Sequence, residues 1–230
     1  MKATIFKTIF AKNEPHQVTI SKALHRIRDG ASRTTVESIR NGNKEDKLRL
    51  PAVLFSGEFS SRHDDDINEH SGFIVLDFDH VEVDKTKSAL ATDDYIHSCW
   101  GSPSGTGVKA LVKVASPERH RDHFRALVRY FDDRYGLGLD ESGINESRAC
   151  FESYDPDIVI KESSVLFSLL LSEESANAEP ETPDSLFTDY TKLNIAARMV
   201  RNAPDGQKHD PLIKAATLCG GYLAAGRMEE

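Results

Sequence analysis

Two aspartates separated by one residue close an apolar run, where residues 72–80 read GFIVLDFDH. Because side chains of a strand alternate between its two faces, Asp77 and Asp79 should point the same way. Carboxylates this close repel each other unless a cation lies between them. Hard oxygen ligands suit Mg²⁺ or Mn²⁺, so the pair predicts a metal site of the kind used in phosphate chemistry. The alternative is that the two aspartates only end the strand and cap the next turn.

A second candidate is the turn at residues 102–109, which reads SPSGTGVK. Glycines let the backbone approach a phosphate closely, amides and hydroxyls donate to its oxygens, and a lysine adds positive charge. The turn is not a P-loop, because it lacks the Gly-Lys-Ser/Thr ending and leads into a strand instead of a helix. An ordinary hairpin turn is an equally good interpretation of these residues alone.

A third candidate lies within residues 140–157, which read DESGINESRACFESYDPD. Asp140 could complete a metal site with the first two aspartates, and Asp155 is the second choice for that third carboxylate. Arg148 offers a planar fork that fits a phosphate, although a salt bridge to a nearby acid is a common alternative. Asp155 is followed by Pro156 and is as easily part of a turn as a metal ligand.

Taken in this order, the three segments resemble the archaeo-eukaryotic primase superfamily, the primase–polymerases. The branch most similar is the one carried by mobile elements and phages, with a VirE N-terminal-type domain. The resemblance covers roughly residues 45–170. It implies catalytic metal ligands and nucleotide-binding residues. The implied metal ligands are Asp77, Asp79 and Asp140, and the implied nucleotide-binding residues are Ser104, Gly105, Gly107, Lys109 and Arg148.

The resemblance implies a DNA primase/polymerase-type nucleotidyltransferase that adds nucleotides on a template with two Mg²⁺ or Mn²⁺ ions. One ion would activate the attacking 3′-hydroxyl and the other would bridge the triphosphate. The implied partners are single-stranded DNA, nucleoside triphosphates and a downstream helicase, in replication of a phage, plasmid or other mobile element. Lys109 stands where the superfamily usually has histidine. Lys47, Arg49 and Arg62 are candidates for contacts to the template backbone.

Two alternatives remain open at this point. The strand that carries Asp77 also fits the first motif of haloacid-dehalogenase-type phosphatases, in which the first aspartate is the nucleophile. That motif normally opens the chain, whereas here it lies well inside. The second alternative is an inactive nucleic-acid-binding remnant of the primase fold, which the lysine at position 109 favours.

Composition places the chain among globular proteins without a membrane-spanning segment. Of its 230 residues, 39% are hydrophobic and 29% are charged, and the formal net charge is −8. Residues 1–50 hold eleven Lys/Arg against five Asp/Glu, so a local phosphate-binding surface is compatible with the acidic total. The three cysteines are far apart and form no disulfide framework, and no signal peptide is apparent, which predicts a cytoplasmic protein.

The pattern of elements predicts an α+β fold. Strands are expected at 3–10, 50–57, 73–79, 94–100 and 108–114, with helices at 19–29, 33–40, 85–91 and 117–135 and a short helix or strand at 163–171. The resemblance adds a mixed or antiparallel sheet of the RNA-recognition-motif (RRM-like) type covered by helices. The predicted domains are a catalytic domain over 1–171 with an N-terminal α/β subdomain over 1–45, an acidic linker over 172–185, and a helical segment over 186–230 that ends in mid-pattern.

Overall fold

The computed structural model describes residues 1–11, 15–173, 212–213 and 216. The predicted helical segment 186–230, apart from residues 212–213 and 216, and nearly all of the predicted linker 172–185 therefore lie outside the described residues. By their internal contacts, residues 1–130 and 138–173 form one compact unit, and residues 131–137 and 174–230 form a second. Every residue of the candidate site belongs to the first unit.

The fold is α+β, as the sequence predicts, and its sheets are antiparallel. The helices are α1 (Ile20–Asp29), α2 (Arg33–Arg40), α3 (Val83–Thr92) and α4 (His120–Tyr135). The strands are β1 (Lys2–Phe6), β2 (His16–Thr19), β3 (Ala52–Leu54), β4 (Gly57–Phe59), β5 (Ile67–His70), β6 (Phe73–Asp79), β7 (Ile96–Gly101), β8 (Gly107–Lys113), β9 (Cys150–Phe151) and β10 (Val159–Ile160).

Two four-stranded sheets and one hairpin organise these strands. The first sheet has the order β2-β1-β3-β9, and the second has the order β10-β7-β8-β6. All their pairings are antiparallel, and β4 pairs with β5 in a separate hairpin. The edge strand β6 of the second sheet pairs with β8 in unbroken register from Phe73 opposite Lys113 to Asp79 opposite Gly107.

The main core joins the first sheet, α1 and one face of the second sheet. Leu24 of α1 packs in the same buried cluster as Phe55 and as Val75 and Trp100 of the second sheet. Residues of β6 with the opposite parity, such as Leu76 and Phe78, are also fully buried. The apolar run before Asp77 is therefore buried on both faces, so the strand holds its C-terminal carboxylates on a rigid support.

Sequence patterns missed the short strands β4 and β5 and misplaced one segment. β4 and β5 are only a few residues long and carry polar side chains such as Glu58 and Glu69, so they show no apolar alternation. Residues 163–171, predicted as a helix or strand, form neither: Phe167 makes one isolated bridge to Val114. Phe167 is buried, whereas the apolar residues Leu166 and Leu169 beside it are exposed. The apolar pattern of this segment therefore reflects one anchoring side chain and not a regular buried face.

One further expectation concerns membranes. In the described part of the chain, no helix combines the length and the apolar composition that crossing a bilayer requires.

Candidate metal and phosphate site

Three carboxylates converge at the C-terminal end of β6. One ligand oxygen from each of Asp77, Asp79 and Asp140 lies within 4.8 Å of the others. Asp77 and Asp79 share a face because they are two residues apart on one strand. Asp140 joins them through the backbone, since its N–H donates to the Asp77 carbonyl oxygen at 3.0 Å. Residues more than sixty positions apart in sequence therefore form one acidic group, which we call the aspartate triad.

A short 3₁₀-helix, Glu141–Ile144, fixes the third aspartate. Asp140 caps this helix, because its Oδ1 accepts a hydrogen bond from the Ser142 N–H at 3.0 Å. Gly143 then packs tightly against α4, where an added Cβ would lie 2.5 Å from Cε2 of Phe124. The segment that carries Asp140 is thus held both by its cap and by close packing.

Two of the three aspartates already have a basic partner. Lys109 lies opposite Asp77 in the β6–β8 register, is buried, and donates from Nζ to Asp77 Oδ2. Burial alone would lower the pKa of Lys109, but the interactions with Cys150 and with the Asp77 carboxylate raise it above its ordinary value. Lys109 is therefore a fixed positive charge beside the triad at neutral pH.

Arg148 plays the same part for the third aspartate. Its Nη2 donates to Asp140 Oδ2 at 2.5 Å. Burial alone would raise the pKa of the Asp140 carboxyl, but hydrogen bonding from Ser142 and the charges of Arg148 and Lys109 lower it below its usual range. Asp79 is exposed and makes no ion pair with any residue that the structure describes.

The residues present fit a hard divalent cation. The donor set consists of carboxylate oxygens, which Mg²⁺ and Mn²⁺ prefer. Asp77 Oδ1 is buried and has no hydrogen-bond partner among the described residues, which is costly unless another group occupies that position. Three carboxylates beside two basic side chains give the site a formal local charge of about −1. The site therefore attracts a cation without carrying a large excess of negative charge when it is empty.

The glycine-rich turn lies directly beside the triad. β6 and β8 pair down to Asp79 opposite Gly107, and the turn connects β7 to β8 over Ser102–Thr106. The turn closes through a Ser102 N–H donated to the Gly107 carbonyl at 2.8 Å and a Gly107 N–H donated to Ser102 Oγ at 3.1 Å. Three hydroxyls follow in a chain, with Ser102, Ser104 and Thr106 spaced at 3.0 Å from oxygen to oxygen.

The local geometry explains why glycine stands at both positions of the predicted phosphate-binding turn. Gly105 has φ +73°, a left-handed conformation that other residues adopt at a cost. At Gly107 an added Cβ would lie 2.8 Å from the Phe78 carbonyl oxygen and 3.3 Å from Asp79 Oδ1. Gly107 therefore permits the close approach that brings the turn next to the triad.

The structure assigns Asp155 a supporting position and not a place among the metal ligands. Its Oδ2 accepts from Lys87 Nζ at 2.5 Å and from the Gly101 N–H at 2.7 Å. Ser153 Oγ donates to the Gly101 carbonyl at 2.6 Å. The Ser-Tyr-Asp segment therefore secures the N-terminal end of the glycine-rich turn, and the Asp155 carboxylate lies outside the group formed by Asp77, Asp79 and Asp140.

Sequence analysis missed Arg40 at the end of α2. Its Nη2 donates to the Ser102 carbonyl at 3.1 Å and to the Tyr154 carbonyl at 2.9 Å. Nothing in the local pattern of α2 distinguishes Arg40 from the other basic residues of the N-terminal fifty. Only the folded chain brings it to the glycine-rich turn.

The basic residues suggested for template contacts have partners within the protein. Lys47 Nζ lies 5.2 Å from the ring centroid of Phe151. Arg49 pairs with Asp46 at 3.1 Å, and Arg62 Nη1 donates to the Ile9 carbonyl. Lys47 and Arg49 are both exposed, the Arg49 side chain to 79%, whereas Arg62 is only partly exposed.

A buried histidine pair supports the segment that carries Asp140. The Gly72 N–H donates to His70 Nδ1 at 2.9 Å, so His70 must carry its proton on Nε2. That proton faces His120 Nδ1 at 3.0 Å, and His120 in turn faces the Gly143 carbonyl from Nε2 at 3.4 Å. This chain is complete only when both rings are neutral. Burial accordingly lowers the pKa of each histidine to about 4.

We expect the stability of the domain to fall on acidification because of this pair. The unfolded histidines take up protons below about pH 6.5, whereas the folded ones resist until about pH 4. The stabilisation is complete above pH 6.5 and is lost between these limits, by up to about 3 kcal/mol for each histidine. In chemical unfolding at several pH values, His120→Gln should flatten this dependence, whereas the exposed His25→Gln should not. An unchanged slope in His120→Gln would contradict the assignment.

The comparisons with known proteins give one match. Residues 45–159, half of the chain, match the family model described as BT4734-like, N-terminal domain. No curated protein and no solved structure matches the chain. The matched range contains the aspartate triad, the glycine-rich turn and Arg148, whereas Arg40 precedes it. The chain therefore belongs to the BT4734-like N-terminal domain family.

Proposed function

We propose that this domain is a template-dependent nucleotidyltransferase of the primase–polymerase type, similar to the VirE N-terminal-type branch, acting with Mg²⁺ or Mn²⁺. One observation carries the proposal: three carboxylates from distant parts of the chain meet beside a glycine- and hydroxyl-rich turn. Transfer of a nucleotide from its triphosphate requires at least a metal site and, next to it, groups that bind the phosphates.

The residues of the chain divide the work by position. Asp77, Asp79 and Asp140 would hold the divalent ions, which when bound stabilise charge on the attacking and leaving oxygens. The amides and hydroxyls of the turn, with Ser104 and Gly105 at its exposed tip, would donate to the phosphates.

Lys109 and Arg148 would supply positive charge to the same place. Each is held against one carboxylate of the triad, so its charge would lie beside the position proposed for the reacting phosphates. Lysine at position 109 remains charged at neutral pH, so its proposed role is to neutralise phosphate charge and not to shuttle protons.

The proposed partners follow from the reaction. Single-stranded DNA would provide the template, nucleoside triphosphates the substrates, and a helicase the strand opening. The proposed biological setting is replication of a phage, plasmid or other mobile element. Template binding would be mainly electrostatic, with exposed basic side chains such as Arg49 facing the phosphodiester backbone.

Incorporation of labelled nucleotides tests this proposal directly. The full chain should extend a primer on single-stranded DNA, or start a strand on it, when Mn²⁺ or Mg²⁺ is present. The product should disappear with EDTA, return when the metal is restored, and depend on the template. Absence of any product with all nucleotides and both metals, or product that is equal without template, would reject the proposal.

A further inference from the structure

We propose that Arg40 binds the terminal phosphate of the incoming nucleotide and so selects triphosphates over diphosphates. This inference deepens the proposed function and rests on it for the identity of the substrate. Arg40 lies outside the residues that match the family model and outside the segments that the sequence singled out.

The first argument is the way in which the arginine is held. Both protein hydrogen bonds of the guanidinium use Nη2, and both acceptors are backbone carbonyls, those of Ser102 and Tyr154. Nε and Nη1 make no hydrogen bond with any residue that the structure describes. One nitrogen therefore anchors the fork, while the others remain available to an anion.

The second argument is charge. Several arginines of this chain are paired with a carboxylate, as Arg26 is with Glu152 and Arg148 with Asp140. Arg40 makes no ion pair with the described residues. Asp155 lies near the same turn, but its carboxylate is taken by Lys87 and the Gly101 amide. Arg40 thus keeps an uncompensated positive charge at the surface.

The third argument is position. Atoms Nε, Cγ and Cδ of Arg40 lie 3.6, 3.7 and 3.8 Å from the point where a Cβ of Gly105 would stand. Arg40 therefore borders Gly105 at the exposed tip of the glycine-rich turn, and the residues on either side of Gly105, Ser104 and Thr106, carry hydroxyls. A planar guanidinium next to hydroxyls and a left-handed glycine is a suitable arrangement for binding a phosphate.

A series of contacts through the glycine-rich turn links the triad to Arg40, and a bound triphosphate would follow the same direction. The triad lies at Gly107, whose Cβ position is 3.3 Å from Asp79 Oδ1. Ser102 bonds to Gly107 on one side and to Arg40 on the other. With the reacting phosphate at the triad and the terminal phosphate at Arg40, a nucleoside triphosphate would lie across the turn, and a diphosphate, which has one phosphate fewer, would lose the contact with Arg40.

Binding of inorganic polyphosphates tests the inference without any need for catalysis. Titration calorimetry on the full chain would compare inorganic tripolyphosphate with pyrophosphate. We expect tripolyphosphate to bind the unmodified protein more tightly. Arg40→Ala should weaken tripolyphosphate binding at least about tenfold, the loss expected for one charge-assisted hydrogen bond, and should change pyrophosphate binding less.

Matched variants separate this role from general charge and from folding. Arg28→Ala removes an exposed arginine, paired with Asp29 on α1, and should leave both affinities unchanged. Arg40→Gln keeps an amide donor for the carbonyls of Ser102 and Tyr154 without the charge. It should melt like the unmodified protein and still lose tripolyphosphate affinity. Equal losses in Arg28→Ala and Arg40→Ala, or full affinity in Arg40→Gln, would overturn the inference.

Incorporation kinetics distinguish the failure of this inference from the failure of the proposed function. If the protein is active, Arg40→Gln should raise the KM for nucleoside triphosphate by about tenfold with a smaller change in kcat. Activity with an unchanged KM would overturn the role of Arg40 and leave the nucleotidyltransferase standing. Loss of tripolyphosphate affinity in a protein without incorporation would support the phosphate site and reject the reaction.

Discussion

Asp79→Asn should lower template-dependent incorporation about a thousandfold, a loss of about 4 kcal/mol of transition-state stabilisation. Asp79 is the informative member of the triad because it is exposed and makes no ion pair with the described residues. Removing its charge leaves no buried partner behind. The change also relieves repulsion from Asp77 and Asp140, so the melting temperature of the metal-free protein should stay the same or rise.

Two further measurements make this result specific. Manganese binding, followed by electron paramagnetic resonance, should weaken in Asp79→Asn. The loss of affinity should be the same with and without template. Asp84→Asn removes another exposed aspartate, from the first turn of α3, and should preserve both binding and incorporation. Full activity in Asp79→Asn, or an equal loss in Asp84→Asn, would show that the triad does not hold the catalytic metal.

Lys109→Met should have opposite effects on stability and on metal affinity. The change leaves the largely buried Asp77 carboxylate without its partner, which should destabilise the metal-free domain by about 3–5 kcal/mol. The same change makes the triad more negative. At an effective dielectric constant of about 20, even two unit charges about 4 Å apart interact by about 4 kcal/mol, so after screening by solvent and salt Mn²⁺ should bind at least about tenfold more tightly.

Thermal melting with and without Mn²⁺ would measure both effects at once. The metal should raise the melting temperature of Lys109→Met more than that of the unmodified protein, because it replaces the lost positive charge. Lys87→Met is the matched control: Lys87 and Asp155 form an equally buried ion pair away from the triad. It should be destabilised in the same way without rescue by the metal. Equal rescue in both variants would assign Lys109 a purely structural role.

Local sequence patterns predicted much of the fold. The apolar run before Asp77 predicted β6, and helical spacing predicted α1 and α4 within a few residues of their bounds. These elements are long and their apolar positions repeat regularly, so local preference and burial favour the same structure. β4, β5 and the segment around Phe167 were missed or misplaced, because their burial depends on partners that are distant along the chain.

The chain by itself also determined half of the site's chemistry. Asp77 and Asp79 had to share a face, because alternation along a strand is a local property. A left-handed position in the turn could be expected of Gly105, because glycine alone adopts it without strain. The resemblance suggested Asp140, but no spacing rule could place it beside Asp77.

Tertiary structure decided the rest, since it depends on contacts between residues far apart in sequence. A backbone hydrogen bond to β6 positions Asp140, Asp155 lies outside the triad, where it contacts Lys87 and the Gly101 amide, and the packing of α2 brings Arg40 to the turn. Charge partners follow the same rule. Lys109 neutralises Asp77 because strand register sets them opposite each other, and register arises only when the sheet forms.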